Sequence, residues 1–214
     1  MPNKTKAIVA IRSVVVSSLI YVVTLHGGAA FAGNIEDIKA DIAADPNNAD
    51  LYFELALEYE NIKDWRAAAD AYIMAIGLDP GDANLHFRLA EVYLADDELG
   101  TAIDSYRRAL GLDENLIRAR YQMGRAQLGL RRWDEAVKTF EEYVAASPYD
   151  YNGLWYLGQA YEMVGRKKDA LEQYKKILDY STGAFASAGE IGVFGTSDDL
   201  EKYIRKLEKN VYGE

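Results

Sequence analysis

Few side chains in this sequence could carry out chemistry. The 214 residues include two histidines and no cysteine, so disulfides, thiolate metal sites and thiol nucleophiles are excluded. A transition-metal site needs several histidine or cysteine ligands, and His86 is the one histidine beyond the first 32 residues. No serine–histidine–acid arrangement can be built without it. The sequence therefore predicts no catalysis, no metal and no cofactor, and His86 is expected to be a packed or half-exposed helix residue.

Glycines near the C-terminus offer one further candidate for chemistry. Gly189, Gly192 and Gly195 are three residues apart, a spacing that resembles a phosphate-binding loop. No strand pattern precedes these glycines and no basic residue accompanies them. The segment 181–196, rich in glycine, alanine and serine, is therefore predicted to be a loop without a ligand.

Most of the chain follows a period of 34 residues. Four columns recur in one register, and they hold a large aliphatic residue, a small residue, an alanine and an aromatic residue. In that order the columns are Leu55, Leu89, Met123, Leu157; Ala56, Ala90, Gly124, Gly158; Ala68, Ala102, Ala136, Ala170; and Tyr72, Tyr106, Phe140, Tyr174. A fixed period of this length is typical of stacked repeats.

Each repeat is predicted to form two antiparallel helices. In the first repeat, apolar residues on both sides of the Lys63-Asp64 turn follow helical spacing. The small and alanine columns allow the two helices to approach closely, and the aromatic fills the remaining space. The predicted helices lie near 49–61, 65–77, 83–95, 99–111, 117–129, 133–145, 151–163 and 167–179.

These columns closely resemble the tetratricopeptide repeat family over residues 49–182. Prolines stand at the expected segment ends, at Pro46, Pro80 and Pro148. The departures are local, with Gln127 in the tyrosine column of 59, 93 and 161, and Lys167 in the column of Trp65, Leu99 and Trp133. The resemblance implies an all-α fold, a right-handed superhelix of four repeats in which the first helix of each repeat lines a concave groove.

Both ends of the repeat array are predicted to be capped. Residues 33–48 contain a helix near 34–45 with Ile35, Ile38 and Ile42 on one stripe, and this helix is interpreted as a half-repeat. Residues 183–214 are predicted to form the glycine/alanine loop and a helix near 198–210 with Ser197 as its N-cap. That last helix is interpreted as a cap on the fourth repeat. The alternative is an arm that docks into another chain or folds back into the groove.

The resemblance places one aromatic column and three leucines on the groove face. The aromatic column is Phe53, Phe87, Tyr121 and Trp155, and the leucines are Leu57, Leu94 and Leu128. A ladder of rings can grip an extended or helical peptide, because rings supply large apolar area at low rotamer cost. The alternative is that these rings rest on the neighbouring helix. Some relatives clamp a partner's carboxylate with a lysine and an asparagine, but here those positions are Phe53 and Leu57.

A pair of arginines is the predicted polar part of this site. Arg118 and Arg125 lie two helical turns apart on the groove face of the third repeat. Together they could hold a carboxylate or an acidic side chain of a ligand. The alternative is a local salt bridge from these arginines to Glu91 or Glu162.

The N-terminus has the pattern of a secretory signal peptide. Lys4, Lys6 and Arg12 precede an apolar run over 13–25, and Ala30-Phe31-Ala32 forms a small-x-small site before Gly33. We expect residues 1–32 to be removed and the protein to be periplasmic or secreted, with no stable membrane span after cleavage. The alternative is an uncleaved N-terminal helix that anchors the protein in the inner membrane, although the apolar run is short for a span.

Charge is strong and unevenly divided. Without residues 1–32 the chain has 21 basic and 34 acidic residues, a net charge of −13, which disfavours nucleic acid and anionic lipid as partners. Residues 33–104 hold 4 basic and 17 acidic residues, whereas residues 105–178 hold 13 basic and 10 acidic residues. The two zones could pair between copies as a homo-oligomer, or the basic zone could meet an acidic segment of a partner.

Three functional hypotheses follow. The first is a non-catalytic interaction module of the cell envelope that binds a peptide or protein segment in the groove, as an adaptor or assembly factor. The second is a self-assembling structural scaffold, driven by the charge division and the C-terminal helix. The third is an accessory subunit of an envelope enzyme complex. The partner and the pathway are not encoded in the fold.

Overall fold

The computed structural model describes residues 27–182 and 196–213, which form ten α-helices joined by short turns. Side chains are described from residue 34 onward. In chain order the helices are α1 (Gly27–Ala44), α2 (Ala49–Asn61), α3 (Trp65–Leu78), α4 (Ala83–Ala95), α5 (Leu99–Leu112), α6 (Ile117–Gly129), α7 (Trp133–Ala146), α8 (Tyr151–Met163), α9 (Lys167–Thr182) and α10 (Ser197–Tyr212). Consecutive helices pack on one another along the chain, so the fold is an all-α helical repeat superhelix, as predicted.

The predicted helix bounds agree closely with this structure. The four first helices (α2, α4, α6 and α8) have the predicted ends, and three of the second helices (α3, α5 and α7) are one residue longer. The predicted loop was wrong at Ser181 and Thr182, which continue α9, and α1 begins at Gly27 rather than near residue 34. The rest of the predicted glycine/alanine loop, 183–195, and most of the predicted signal peptide lie outside the described residues.

The turns inside each repeat share one backbone conformation. The residue at the turn has a positive φ in every repeat, and these residues are Lys63 (61°), Asp97 (62°), Arg131 (57°) and Gly165 (81°). The left-handed conformation costs least for glycine, so only the fourth repeat has the residue that would have signalled this turn in the sequence. The next residue then donates its backbone N–H to the carbonyl five residues earlier, at 2.8–2.9 Å in all four repeats.

The small and aromatic columns hold the two helices of each repeat together. The alanine and aromatic columns are fully buried, with no exposed surface in any repeat. A Cβ atom added at Gly124 would lie 2.7 Å from the ring of Phe140, and one added at Gly158 would overlap the ring of Tyr174. The helices of repeats three and four therefore approach too closely for an alanine, whereas Ala56 and Ala90 are accommodated in repeats one and two.

Three of the four residues in the buried aromatic column carry a hydroxyl, and each donates a hydrogen bond to a carboxylate of the first helix in the same repeat. Tyr72 donates to Glu60, Tyr106 to Glu91, and Tyr174 to Glu162, the last at 2.7 Å. A buried hydroxyl without an acceptor is costly, so each of these repeats must supply one. Burial first, and then these carboxylates, raise the pKa of all three tyrosines. Phe140 in the third repeat has no hydroxyl and needs no acceptor.

Both ends are covered by a helix outside the repeats. Ile35 and Ile38 of α1 are 6% and 7% exposed and belong to the apolar core of the first repeat. Leu200, Ile204 and Leu207 of α10 are buried in the core of the fourth repeat, so α10 occupies the position of a cap. No helix in residues 27–182 and 196–213 is long and apolar enough to cross a membrane.

The predicted N-cap of α10 was wrong by one residue. Thr196, not Ser197, precedes the helix, and its Oγ1 accepts a hydrogen bond from the backbone N–H of Asp199 at 3.3 Å. Either hydroxyl residue can cap a helix, so the sequence alone did not separate them.

Candidate binding groove

The predicted aromatic column lies against the buried aromatics of the second helices. Each ring meets its partner in the same repeat at a steep or tilted angle, with centroid separations of 5.8 Å for Phe53–Tyr72, 6.0 Å for Phe87–Tyr106, 6.3 Å for Tyr121–Phe140 and 5.0 Å for Trp155–Tyr174. Phe87 is only 8% exposed, and the other three are half-buried. These contacts match the alternative in which the rings support the helix pair, and three of the rings also keep partial surface.

The predicted face contains a groove of about 610 Å³ that joins repeats two, three and four. Three predicted residues line it, namely Leu94 at the end of α4 and Arg125 and Leu128 of α6. Tyr156 and Gln159 of α8 form its other wall. The structure thus brings together part of the predicted set, and we call this feature the repeat 2–4 groove.

Arg125 lies beside two aromatic rings at this groove. Its guanidinium carbon is 5.7 Å from the ring centroid of Tyr121 and 5.8 Å from that of Tyr156, and its Nη1 donates to Oε1 of Gln122 at 3.0 Å. No carboxylate lies within ion-pair distance of this side chain in the described part of the chain. Arg125 is exposed. An exposed guanidinium beside two rings, without a carboxylate partner of its own, is available to receive one.

Arg118 has a different environment and does not share a site with Arg125 in this structure. Its Nη2 lies 3.5 Å from Glu91 Oε2, and its guanidinium carbon is 5.5 Å from the ring of Phe87. The local salt bridge to Glu91 that the sequence left open is therefore formed. The Arg118 side chain remains 75% exposed, and pairs with this exposure contribute little to stability.

Glu91 is the polar centre between repeats two and three. Besides Arg118, it accepts hydrogen bonds from the hydroxyl of Tyr106 and from Nε2 of Gln122 at 3.2 Å. Its side chain is 19% exposed, so most of these bonds are shielded from water. The Glu91 carboxylate fixes the register of α6 on α4, and thereby the separation of the groove walls.

The residues missed from the sequence include Tyr156, which lines the groove, and Gln122, which bonds to Arg125. Gln122 and Tyr156 are 34 residues apart, in a column that begins with Glu54 and Arg88. The column was overlooked because its residue types differ in every repeat. Its position one residue after the aromatic column was the available signal, since neighbouring columns on one helix face adjacent directions.

At its fourth-repeat end the groove face meets α10. The ring centroid of Tyr203 lies 5.9 Å from that of Trp155 and 5.5 Å from that of Tyr174, and its hydroxyl donates to Glu162 Oε1 at 2.7 Å. Burial and then Glu162 raise the pKa of Tyr203 to about 12. Trp155 is thereby covered on one side by the cap. At the other end, Leu57 is half-buried and Phe53 lines a separate recess of about 210 Å³ beside Asp50 and Asp82.

The described residues offer no evident chemistry at this face. His86 is 6% exposed and lies on α4 within the repeat. No cluster of three or more histidine, cysteine, aspartate or glutamate side chains suited to a metal occurs in residues 27–182 and 196–213. The groove instead combines leucine, tyrosine, arginine and glutamine with one aspartate, Asp97, which is a surface suited to binding.

Comparisons with known proteins agree with the fold. A tetratricopeptide repeat profile matches residues 121–187, and a profile of anaphase-promoting complex (cyclosome) subunit 3 matches residues 45–143. A search of curated proteins found no significant match.

Solved structures similar to this chain include two called MamA and one called YrrB. A MamA crystal structure is 27% identical, with 71% of this chain and 82% of that chain covered and a TM-score of 0.65. MamA from Desulfovibrio magneticus RS-1 is 17% identical, with 76% and 96% covered and a TM-score of 0.59. YrrB, described as a TPR protein with an unusual peptide-binding site, is 17% identical, with 84% and 94% covered and a TM-score of 0.62.

Proposed function

This chain is a tetratricopeptide repeat protein, an interaction module of a generally non-catalytic family, and we propose that it binds a partner's peptide segment in the repeat 2–4 groove. One observation carries the proposal, namely the groove of about 610 Å³ that joins three repeats and is lined by leucine and arginine side chains, with Asp97 as its one acidic residue. Its size lies within the range of small-ligand and peptide sites.

The groove chemistry favours an extended segment with an apolar residue next to an acidic one. Leu94 and Leu128 provide the apolar surface, and Tyr156 supplies a ring edge beside them. Arg125 would exchange its hydrogen bond to Gln122 for a paired bond to the acidic side chain. The cost is small, because the bond to Gln122 is exposed to solvent.

Site-directed photo-crosslinking tests this proposal. A photoreactive phenylalanine at Gln159, in the groove wall, is compared with one at Glu172, an exposed position on α9 outside the groove. We expect a discrete protein partner captured only from Gln159, with its crosslinked peptide carrying aspartate or glutamate beside an apolar residue. The charge reversal Arg125→Glu should abolish this capture, whereas Arg108→Glu, at an exposed position on α5, should leave it intact.

The substitutions for this test avoid the aromatic column. Tyr121 and Trp155 contact buried rings of the second helices, so their replacement would also loosen the helix pairs. Equal capture from both probe positions, or unchanged capture in Arg125→Glu, would contradict the groove assignment.

We also propose that the protein acts in the bacterial-type cell envelope, as an adaptor or assembly factor. The support is the basic, apolar and small-x-small order of residues 1–32. The mature protein should begin at Gly33. Intact-mass analysis of protein from the envelope fraction distinguishes this form from the uncleaved, membrane-anchored alternative, which would keep the leader.

Self-assembly remains the second candidate and rests on the charge division. The C-terminal helix adds less to it than expected, because α10 already buries its apolar face on the fourth repeat. Sedimentation at low and high salt decides the matter, since charge-driven assembly must weaken as salt rises.

A further inference from the structure

A second cleft is distinct from the repeat 2–4 groove. It has a volume of about 380 Å³ and lies between the start of α3 and the end of α4. Two half-buried rings, Trp65 and Tyr93, line it, and the buried side chains of Ala69 and Val92 lie at its base. The repeat 2–4 groove is lined by the neighbouring residues Leu94, Asp97 and Leu99, so the two openings share no lining residue.

The cleft is acidic. Asp70, Asp96 and Glu98 line it together with a single basic residue, Arg66. Within residues 27–182 and 196–213, the Asp70 and Asp96 side chains make no hydrogen bond or ion pair, and Glu98 accepts only the hydroxyl of Thr101 at 3.2 Å. Burial, and then the charges of Glu98 and Asp70, raise the pKa of Tyr93.

In the fourth repeat, an arginine of the chain itself occupies the corresponding place. Tyr161 is the repeat equivalent of Tyr93, 68 residues later, and Arg166 is the equivalent of Glu98. The backbone positions correspond, because Arg166 and Glu98 each donate their N–H to the carbonyl of that tyrosine at 2.8 Å. The guanidinium carbon of Arg166 lies only 4.2 Å from the ring centroid of Tyr161.

Carboxylates complete this internal site in the fourth repeat. Nε of Arg166 lies 2.6 Å from Asp169, and Nη1 lies 3.4 Å from Glu141. A guanidinium is thus stacked on the tyrosine of this column and held at its edge by two acidic side chains. Such an arrangement uses both the flat face and the five donors of arginine.

The second repeat keeps the ring, but Glu98, Thr101 and Ile73 stand where the fourth repeat has Arg166, Asp169 and Glu141. Its carboxylates come from other positions, namely Asp70, Asp96 and Glu98 itself. No cation–π contact involves Tyr93 in the described residues. We propose that the cleft between α3 and α4 binds the guanidinium of an arginine side chain on a partner polypeptide, stacked between Trp65 and Tyr93 and held by Glu98 and Asp70. This inference is independent of the repeat 2–4 groove.

The rim of the cleft fits the remainder of such a side chain. Ile73 and Met74 of α3 are 47% and 50% exposed and follow Ala69 and Asp70 by one turn. The aliphatic stem of an arginine, or an apolar residue next to it, can cover this surface. A small hard cation would gain nothing from the rings and the apolar rim, so the surroundings select an organic cation.

The arginine can come from a second copy or from another protein. Arg131 and Arg132, at the exposed turn between α6 and α7, belong to the basic zone of this chain. The cleft belongs to the acidic zone, so contact between two copies would pair opposite charges. The chemistry recognised is the same in both cases, and the source is separated by experiment.

The test uses a peptide and the indole resonance of Trp65 in NMR spectra of the full mature chain. The probe is the capped hexapeptide Gly-Ser-Arg-Leu-Ser-Gly, and its control replaces arginine with citrulline, which has the same shape without the charge. The Trp65 signal is assigned by Trp65→Phe. We expect the arginine peptide to shift this signal, leaving those of Trp133 and Trp155 in place, and the citrulline peptide to bind at least fivefold more weakly.

Variants at Glu98 sharpen the test. Glu98→Gln should weaken binding by about two- to fivefold, which is the range of one exposed ion pair. Glu98→Arg should abolish binding, because it introduces the residue that covers the equivalent tyrosine in repeat four. The substitution should be tolerated, since repeats three and four have arginine at this position. Asp37→Asn, the same loss of charge at an exposed site on α1, should bind as the parent does. Equal binding of both peptides, or unchanged binding in Glu98→Arg, overturns the proposal.

Sedimentation of the same variants identifies the source of the arginine. A dimer that Glu98→Arg and Arg131→Gln/Arg132→Gln both dissociate places the arginine on a second copy. A monomer that still binds the arginine peptide through Glu98 places it on another protein.

Discussion

Replacing Gly124 with alanine sets two known effects against each other. Gly124 lies in the middle of α6, where alanine is favoured over glycine by about 1 kcal/mol in helix propensity. The added Cβ would lie 2.7 Å from Cε2 and 2.8 Å from Cζ of Phe140, about 1 Å inside normal carbon–carbon contact. The sign of the change depends on whether the Phe140 ring can move.

The surroundings of Phe140 indicate that it cannot move freely. The ring has no exposed surface and is stacked on Tyr156 with centroids 5.6 Å apart and planes 16° apart. Tyr121 and Tyr143 meet it at angles of 82° and 84°. Overpacking of such a core costs about 1–3 kcal/mol. We therefore expect Gly124→Ala to be net destabilising by about 1 kcal/mol, or about 2–4 °C in Tm for a chain of this size.

Gly111→Ala is the matched control, because nothing lies within 4 Å of a Cβ at that helical position. It should be neutral or stabilising by up to about 1 kcal/mol. Urea unfolding followed by circular dichroism measures both variants. Adding Phe140→Leu to Gly124→Ala should remove the penalty, with a coupling energy of about 1–2 kcal/mol. A Gly124→Ala variant as stable as Gly111→Ala would refute the close approach of α6 and α7.

Three further predictions concern the hydroxyl–carboxylate bonds. Tyr203→Phe should cost about 1 kcal/mol and increase hydrogen exchange in α10, because the bond to Glu162 is lost while the ring contacts remain. Folding raises the pKa of Tyr203 and of Tyr161 from 10.0 to about 12, so the stability that these two hydroxyls contribute should be constant below pH 10 and be lost between pH 10 and 12, as urea midpoints across that range would show. Phe140→Tyr should destabilise the protein by about 1–3 kcal/mol, because the new buried hydroxyl has no acceptor. Adding Leu128→Glu should supply an acceptor and recover part of that loss, and urea unfolding of the single and double variants measures both effects.

The repeat period predicted the fold because the residues that recur with it are those at which the helices contact one another. The fully buried alanine column and the aromatic column fix where two helices touch, so residue type alone located them. Side-chain caps reinforce the starts of α2, α4 and α8, where Asn48, Asp82 and Asp150 each accept a backbone N–H two residues on. At the N-termini of these three helices, a residue type that commonly caps helices therefore precedes the first residue that the pattern predicted.

The site was less predictable because it depends on contacts between different columns. Glu91 joins Tyr106 of its own repeat to Arg118 and Gln122 of the next one, and no single period marks such a bond. The position of Tyr203 depends on how α10 approaches, and the thirteen residues before Thr196 carry no repeat pattern. The left-handed turns were also hidden, since lysine, aspartate and arginine occupy positions that favour glycine.

The choice of buried aromatic also decides the character of the groove. One column of the first helices holds Glu60, Leu94, Leu128 and Glu162. In repeats one and four its glutamate accepts the buried tyrosine hydroxyl, so it cannot be apolar there. In repeat two that hydroxyl goes to Glu91 instead, and in repeat three the buried residue is phenylalanine.

The column is therefore free to carry leucine in the two central repeats, and Leu94 and Leu128 both line the repeat 2–4 groove. An apolar residue is possible in this column only where no buried tyrosine hydroxyl uses the column as its acceptor. It follows that the core and the binding face of this solenoid cannot vary independently. Restoring the carboxylate at Leu128 should both satisfy a tyrosine at 140 and remove the apolar surface on which the proposed peptide binding depends.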